Sequence, residues 1–530
     1  MSNTRPLTLA LCGLLLGATA LRAQPEALDL SFNNTGYVVR PVNTGDNLQK
    51  LLVQPNEKII AVGMSFDATF TARAHVLRFN PDGTPDTDFA TDGLFTYELD
   101  NEALLYSAVL TPEGKILLAG ATTDYQTYRM MLIQLNADGS IDPSFGTDGV
   151  VTQAVGLSPN NGEDIAYDVA FDTEGNILLC GKSYDATYVS RPVVVRFTPS
   201  GVLDTSFGTD GVATIPVNEA GSSAFKAIAV QPNGKIVATG YFGQSQFWSL
   251  FVVVRFNADG TLDETFSADG IKKYSYSDVD DSGEDMVISE DGSIIIAGKS
   301  TDANYNISTL LIKFTADGEV DATFGVEGAV SEDIGQFDYG WELDELENGE
   351  IVMAGTAGNG PPTDFNMAIW KYAANGTPLS TWGTDGLVQH IIPTYSTMIY
   401  GMAVQADGKI LVGGQARTEL NQNYFFIARL GNNSIDGIAD RTVNDAAVLT
   451  PNPIAAGNLL VVGTAEPVGQ DARVTLHAAD GRVVFTQQVR SAVDQLGNVA
   501  LELPAGLKPG AYVLTVADGG QRYTATLMVQ

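Results

Sequence analysis

The chain is predicted to be all-β: a seven-bladed β-propeller closed by its N-terminal strand, followed by a small C-terminal β-sandwich. Three observations predict this. The phrase Gln231–Gly240 (QPNGKIVATG) returns seven times, with closing glycines at 63, 120, 181, 240, 298, 355 and 414. The spacings are 57, 61, 59, 58, 57 and 59 residues, which marks one structural unit repeated along the chain. Within each unit, short β-branched runs alternate with Gly, Asp and Asn punctuation, and no helical period is sustained. Finally, the start of the chain carries the piece that its last repeat lacks.

In the third copy, Asp164–Phe171, Asn176–Lys182, Pro192–Thr198 and Val212–Pro216 read as four successive strands. The second and third are almost uninterrupted apolar runs, the pattern of strands covered on both faces. Four short antiparallel strands packed between neighbours make a propeller blade. The connector before the fourth strand has its own phrase, as at Asp142–Gly149 and Asp204–Gly211, worn at Leu379–Gly386 where Trp382 replaces phenylalanine. Another copy lies at Leu28–Phe32, followed by a strand near Gly36–Val42. The seventh repeat ends near Leu430 without connector or fourth strand, so the N-terminal strand is expected to complete it. Closure of this kind removes two sheet edges.

The two phrases in fixed order, best seen in Asn136–Gly149 (NADGSIDPSFGTDG) and Asn257–Gly270 (NADGTLDETFSADG), resemble the delta-60 repeat family over roughly Leu28–Leu430. The resemblance implies a propeller-like fold and carries no general activity.

Composition bounds the partners. Asp and Glu outnumber Lys and Arg by 63 to 29, a formal charge of −34. Nearly all of it belongs to the repeats. That excludes nucleic acid and disfavours anionic membranes, whose phosphates need a basic surface. Residues 1–23 read as a secretory signal peptide: Arg5, an apolar run over Leu7–Leu16, then Ala18, Ala20 and Ala23. No later stretch is long and apolar enough to span a bilayer. The mature chain then holds one cysteine, Cys180, read as a core thiol. The expected division is signal 1–23, propeller 24–431, linker 432–447 and sandwich 448–530.

The tail resembles the type A sorting domain of the type IX secretion system. Pro451-Asn452-Pro453, Asp480-Gly481 and the stretch Leu507–Val516 with Gly510 and Tyr512 carry the likeness. It implies the secretion machinery as a partner and a secreted or surface-attached protein.

Candidate chemistry is sparse. Gly181-Lys182-Ser183 and Gly298-Lys299-Ser300 resemble the end of a phosphate loop, but five strand-forming residues separate each glycine pair where four loop residues are needed. Asp278, Asp280 and Ser282, with Asp285 in the same acidic run, approach the spacing of a calcium loop, so calcium is the one cofactor considered; the alternative is a solvated loop. The connector aspartates (Asp92, Asp148, Asp210, Asp269, Asp385) and the third-strand bases (Arg78, Arg196, Arg255, Lys313, Lys371, Arg429) recur in repeat after repeat, and are read as scaffold. No nucleophile elbow or metalloprotease motif occurs. The segments between second and third strands differ among copies and offer aromatic and polar groups: Tyr184, Tyr188, Phe247, Trp248, Asp364, Phe365 and Tyr424. The expectation is a non-catalytic glycan- or protein-binding propeller. The alternatives are a polysaccharide hydrolase or lyase, and a calcium-stabilised adhesion scaffold. Clustered carboxylates beside an aromatic platform at one channel mouth would favour the enzyme; a repeat-symmetric channel would sink it.

Overall fold

The computed structural model describes residues 28–431 except 68, 98–101, 124–125, 158–161, 217–220, 246–247, 278, 361–363 and 393–394. In the tail it describes 448–450, 459–463, 473–478, 483–488, 499–504, 506–508, 510–518 and 521–529. The signal segment 1–23, the linker 432–447 and Pro451–Pro453, Asp480 and Gly481 lie outside the described residues. The chain divides after Asn432 into two compact units. All elements described are strands, and among the described residues there is no helix.

Repeat three shows the unit. Ile165–Phe171, Ile177–Tyr184, Ser190–Phe197 and Val212–Thr214 pair antiparallel in sequence order, close to the bounds predicted. The recurrent phrase is the hairpin between first and second strands, as Ala224–Val230 and Ile236–Gly243 show in repeat four. The second strands are the buried centre; every residue of Ile116–Thr123 is buried. Cys180 is fully buried among them.

The N-terminal strand, Tyr37–Arg40, pairs antiparallel with Asn423–Leu430, the third strand of repeat seven, setting Tyr37 opposite Ala428. Just before it, the Asp29 amide donates to the Arg429 carbonyl at 2.8 Å. The apolar clusters form between successive repeats. Ile60 and Val62 of repeat one meet Leu118 and Met131 of repeat two. Leu48 and Ile59 of repeat one meet Leu411, Phe425 and Ile427 of repeat seven.

Two sequence phrases acquire their physical meaning here. The connector aspartate and phenylalanine hold the third-strand arginine. Arg196 donates from Nε to Asp204 at 2.8 Å, lies 4.7 Å over the Phe207 ring, and reaches the Ala258 carbonyl of the next repeat at 2.5 Å. Arg78 does the same with Asp86, Phe89 and the Ala137 carbonyl. Arg429 does so with Asp29 and Phe32, and its carbonyl acceptor is Pro81 of repeat one. Burial works to raise the pKa of Asp29, but the Ser31 hydroxyl and amide, Arg429 and Lys409 outweigh it and hold the carboxyl below its ordinary value.

The glycine that closes each hairpin phrase lies against a bulge in its own first strand. Gly181 pairs with Ala166, and the register then slips past Tyr167. A Cβ on Gly181 would sit 1.8 Å from the Ile165 carbonyl oxygen; on Gly240 it would sit 2.1 Å from that of Ala224. All seven closing glycines meet a first-strand carbonyl in this way. No side chain fits, so glycine and bulge imply one another.

The tail unit has two antiparallel sheets. One holds Val448–Thr450, Leu459–Gly463 and Val499–Glu502; the other holds Val483–Gln488, Arg473–Ala478, Gly510–Asp518 and Gln521–Val529. Both contribute to one core, with Leu460 and Leu501 from the first and Leu476, Leu514 and Leu527 from the second. Gly510 opens a strand, and the Tyr512 hydroxyl donates to the Lys508 carbonyl at 2.8 Å. The two sheets fit the small β-sandwich expected for the tail.

Two outcomes follow for stability. Gly240→Ala forces the bulge apart and lowers the unfolding free energy by about 1–3 kcal/mol in denaturant titration, whereas Gly114→Ala, where nothing lies within 4 Å, is penalised only for its φ of +80°. Arg429→Ala leaves Asp29 buried with Lys409, 3.8 Å away, as its remaining cation, and costs about 3 kcal/mol by the same measurement.

Candidate functional site

The bulges aim one side chain per repeat into a channel along the first strands. These strands are Gly45–Val53, Glu102–Leu110, Ile165–Phe171, Ala224–Val230, Asp280–Ile288, Tyr339–Glu345 and Ser396–Val404. The residue left unpaired in each is Gln49, Tyr106, Tyr167, Lys226, Glu284, Trp341 and Tyr400 in turn. All seven line one chamber of about 230 Å³. Where the scaffold repeats, this ring does not: it carries four aromatic rings, one amide, one ammonium and one carboxylate.

The residue after each bulge forms a second layer. Lys50, Ser107, Asp168, Asp285 and Glu342 line both this chamber and a further one of about 280 Å³ on the other side. That second chamber is walled by apolar groups such as Val169, Ile228 and Met402, with Asp344. The middle layer therefore divides the channel with one ammonium and three carboxyls.

Lys50 Nζ donates to both oxygens of Glu342, at 2.9 and 2.8 Å. Burial works to lower the Lys50 pKa, but Glu342, Asp285 and Asp168 outweigh it and hold the ammonium above its ordinary range. Burial raises Glu342, with Asp285 and Asp168 adding to the effect against Lys50. Burial also pushes Asp285 up to about 6, against Lys50 and with help from Asp168. Three carboxyls face one cation, so the cluster retains protons where isolated carboxylates would have lost them. Each acid is also fixed in place: Asp168 accepts from Ser107 Oγ at 2.7 Å and from the Ile228 amide at 3.0 Å, and Asp285 accepts from the Leu343 amide at 2.8 Å. A carboxyl that holds its proton up to about pH 6 is a group able to act as a general acid.

The aromatic ring above is organised in two groups. Tyr106 meets Tyr167 edge-on at 5.3 Å, and Lys226 Nζ sits 4.0 Å over the Tyr167 ring. Trp341 stacks on Tyr339 at 5.2 Å and lies 5.7 Å from Tyr400. The Trp341 indole N–H is buried without a hydrogen-bond partner, a donor that a polar ligand would satisfy. Burial pushes the Tyr400 hydroxyl up to about 12 and raises Tyr106 and Tyr167 as well, so all three are neutral donors at physiological pH. Among the described residues, no ion pair engages Lys226 or Glu284.

The residues singled out from the sequence do not assemble into this site. Tyr184 is half-buried under Lys182, and Tyr188 and Trp248 are exposed on separate hairpins. Phe365, expected to be presented at the surface, is buried against Phe337, because its strand packs on the segment leading into repeat six. The Tyr424 hydroxyl donates to Gln422. Phe247 and Asp278 lie outside the described residues, as does the side chain of Asp364. In the acidic run, Asp280 accepts from Ser249 Oγ, Ser282 is buried, and Asp285 belongs to the channel. The run read as a solvated loop is instead the start of a strand. Its Asp281 is fully buried and accepts from the Tyr276 and Ser277 amides, as Asp164 does from Val155. Among the described residues no group of three or more His, Cys, Asp or Glu is placed to hold a metal ion.

The channel residues had a signal in the sequence that passed unread. Each bulge residue stands fourteen positions before its closing glycine, in a strand otherwise patterned alike from copy to copy.

A domain family described as "Domain of unknown function (DUF5122) beta-propeller" matches residues 54–89, 111–145, 175–207, 231–266, 290–324 and 405–434. These segments fall in six of the seven repeats; the sixth repeat, with the worn connector, is unmatched. With the geometry, they support a propeller-repeat protein. No curated protein matches the chain. Among solved structures, a fungal alcohol oxidase of the AA5 family in complex with copper is similar at 12% identity and a TM-score of 0.41, over 93% of this chain and 98% of that one. The Bacillus subtilis arabinanase Arb43A is similar at 10% identity and a TM-score of 0.29, over 61% and 92%. A Bombyx mori GH32 beta-fructofuranosidase is similar at 13% identity and a TM-score of 0.26, over 67% and 84%. At these TM-scores the likenesses carry no argument about chemistry.

The channel has a pH signature. The folded chain keeps the Asp285 proton up to about pH 6, whereas an unperturbed aspartate releases it near 3.8. The stability this proton contributes is complete below pH 3.8 and is lost as pH rises through about 6. Asp285→Asn removes that loss, so the variant gains about 1–3 kcal/mol relative to the parent between those limits, read from denaturant midpoints across the pH range.

Proposed function

We propose that this propeller-repeat protein binds a glycan in its channel, with the sugar rings seated on the Tyr106–Tyr167 and Trp341–Tyr400 groups. The observation that carries the reading is the ring of seven bulge residues, which differs at nearly every position while the frame holding it repeats. Sugars offer apolar C–H faces, which aromatic rings cover, and hydroxyls, which Gln49, Glu284, Lys226 and the Trp341 N–H can meet. The chamber's polar groups converge from seven strands, so their positions are set by the sheet scaffold and not by loops.

The frame itself is proposed to be a closed ring of seven blades. The Tyr37–Arg40 pairing, the shared cluster of repeats one and seven, and the Arg429 bond to Pro81 all support it. We further propose that residues 1–23 direct export and that the tail sandwich is a type IX sorting domain, giving a secreted or surface-attached protein. No described helix is long and apolar enough to cross a membrane.

A second reading, cleavage of the bound glycan, is favoured by one observation: Asp285, pushed up to about 6, lies in one layer with Asp168, Glu342 and Lys50. An acid that holds its proton up to about pH 6, set among further carboxyls, supplies the general acid that glycoside hydrolysis requires.

The test uses an array of plant, algal and bacterial polysaccharides, with binding and product release measured together. Trp341→Ala and Tyr167→Ala are expected to weaken binding about tenfold or more while the melting temperature moves little. Binding unaffected by both variants, or absent across the array, overturns the reading. Product release that Asp285→Asn and Glu342→Gln abolish, with binding retained, selects the hydrolase; binding with no product release leaves a binding protein.

A further inference from the structure

One repeat departs from the arginine pattern, and a cavity stands where its arginine would be. The third-strand position reads Arg78, Gln134, Arg196, Arg255, Lys313, Lys371 and Arg429 through the seven repeats. Only repeat two has a neutral residue there. In the four arginine repeats the guanidinium has three fixed neighbours: the connector aspartate, the connector phenylalanine and a carbonyl in the following repeat. Arg255 illustrates all three, with Asp263 at 2.7 Å, Phe266 at 4.8 Å and the Ala316 carbonyl at 2.5 Å.

Repeat two keeps all three neighbours and lacks the cation. Its aspartate is Asp142, its phenylalanine is Phe145, and its carbonyl is that of Pro199 in repeat three. Gln134 donates to Asp142 at 2.8 Å but carries no charge. Phe145 has no cation over its ring, and the Pro199 carbonyl accepts no hydrogen bond from any described residue. Asp142 also has one cation fewer than its counterparts in repeats one and four. Asp86 faces both Lys58 and Arg78, and Asp263 both Lys235 and Arg255, whereas Asp142 faces Lys115 alone. The space left is a cavity of about 670 Å³ lined by Gln134, Phe145 and Pro199; Glu113, Asp172 and Glu174 add negative charge against the one ammonium, Lys115, which is paired with Asp142. It opens among the turns that join first to second strands, at the opposite end of those strands from the aromatic ring.

We propose that this cavity binds the guanidinium of an arginine side chain presented by a protein partner. Two of its walls are those that hold a guanidinium elsewhere in the molecule, an aromatic face and a free carbonyl; the carboxylates of Glu113, Asp172 and Glu174 stand in for the connector aspartate, which Gln134 and Lys115 already engage. The volume exceeds one guanidinium, leaving room for the alkyl stem and part of the partner's backbone. The −34 charge of the chain draws a basic partner towards it. This site is independent of the channel and of any glycan.

The experiment titrates the full chain with N-acetyl-arginine methylamide, and with the citrulline counterpart, which has the same shape without the charge. Saturable binding of the arginine compound is expected, with the citrulline compound weaker by about tenfold or more. Gln134→Arg restores the pattern of the sister repeats. It is expected to fill the cavity, abolish binding and raise the melting temperature. Gln134→Lys, which copies repeats five and six, blocks binding as well and serves if the arginine variant does not fold. Equal binding of the two compounds, binding that persists in both variants, or no saturation at the solubility limit of the arginine compound overturns the proposal.

Discussion

The contact on which the rest of the molecule depends is a close approach of backbone to backbone. In every repeat the glycine in the middle of the second strand lies against a first-strand carbonyl, with no room for even a methyl group. That approach lets the first strand bulge, and the bulge turns one residue out of the ladder. A bulge costs a ladder position but re-aims a side chain, which is why it recurs next to sites. Here it does so in each of seven repeats, and the seven residues line one chamber. The channel chemistry is therefore a consequence of where glycine stands in the hairpin phrase.

The second constraint is electrostatic and binds repeats to each other. Each third-strand arginine is held by its own connector and reaches a carbonyl of the next repeat, so local chemistry is converted into order between neighbours. Such pairs are buried, and each charge needs its partner. The same logic joins the first and last repeats: Asp29 is separated from Arg429 by the whole repeat array, yet meets it at 2.9 Å. The missing arginine of repeat two is informative because the frame around it is otherwise intact.

The two layers of the channel divide the chemical labour. The aromatic layer, with one ammonium and one carboxylate among its rings, offers faces and donors. The layer beneath concentrates charge, with Lys50 shared among Glu342, Asp285 and Asp168. Desolvation there favours neutral acids, and the single cation opposes it. A ligand seated on the rings would lie next to Asp285, whose carboxyl holds its proton up to about pH 6. Recognition and catalysis thus remain two readings of one site, separated by whether bonds are broken.

By itself the sequence determined the scaffold. Period, hairpin phrase, connector phrase and the displaced N-terminal strand are all local patterns, and turn chemistry and strand propensity act locally. That Arg196 belongs to the scaffold was legible for the same reason, since it recurs at fixed spacing, whereas its partner Asp204 was shown by the structure. What sequence could not give was convergence. Tyr106 and Trp341 lie in repeats two and six, and only the packing of first strands around a channel places them in one chamber. Likewise Lys50 and Glu342 meet across the molecule at 2.8 Å. Asp285 read as one acid in a polar run because its neighbours in sequence are polar; its burial is decided by strands from other repeats. The loops that differed between copies drew attention because variation is visible there, whereas variation at the bulge is a single residue per repeat. Only the bulge, which exists once glycine and carbonyl meet in three dimensions, shows that those single residues face one another.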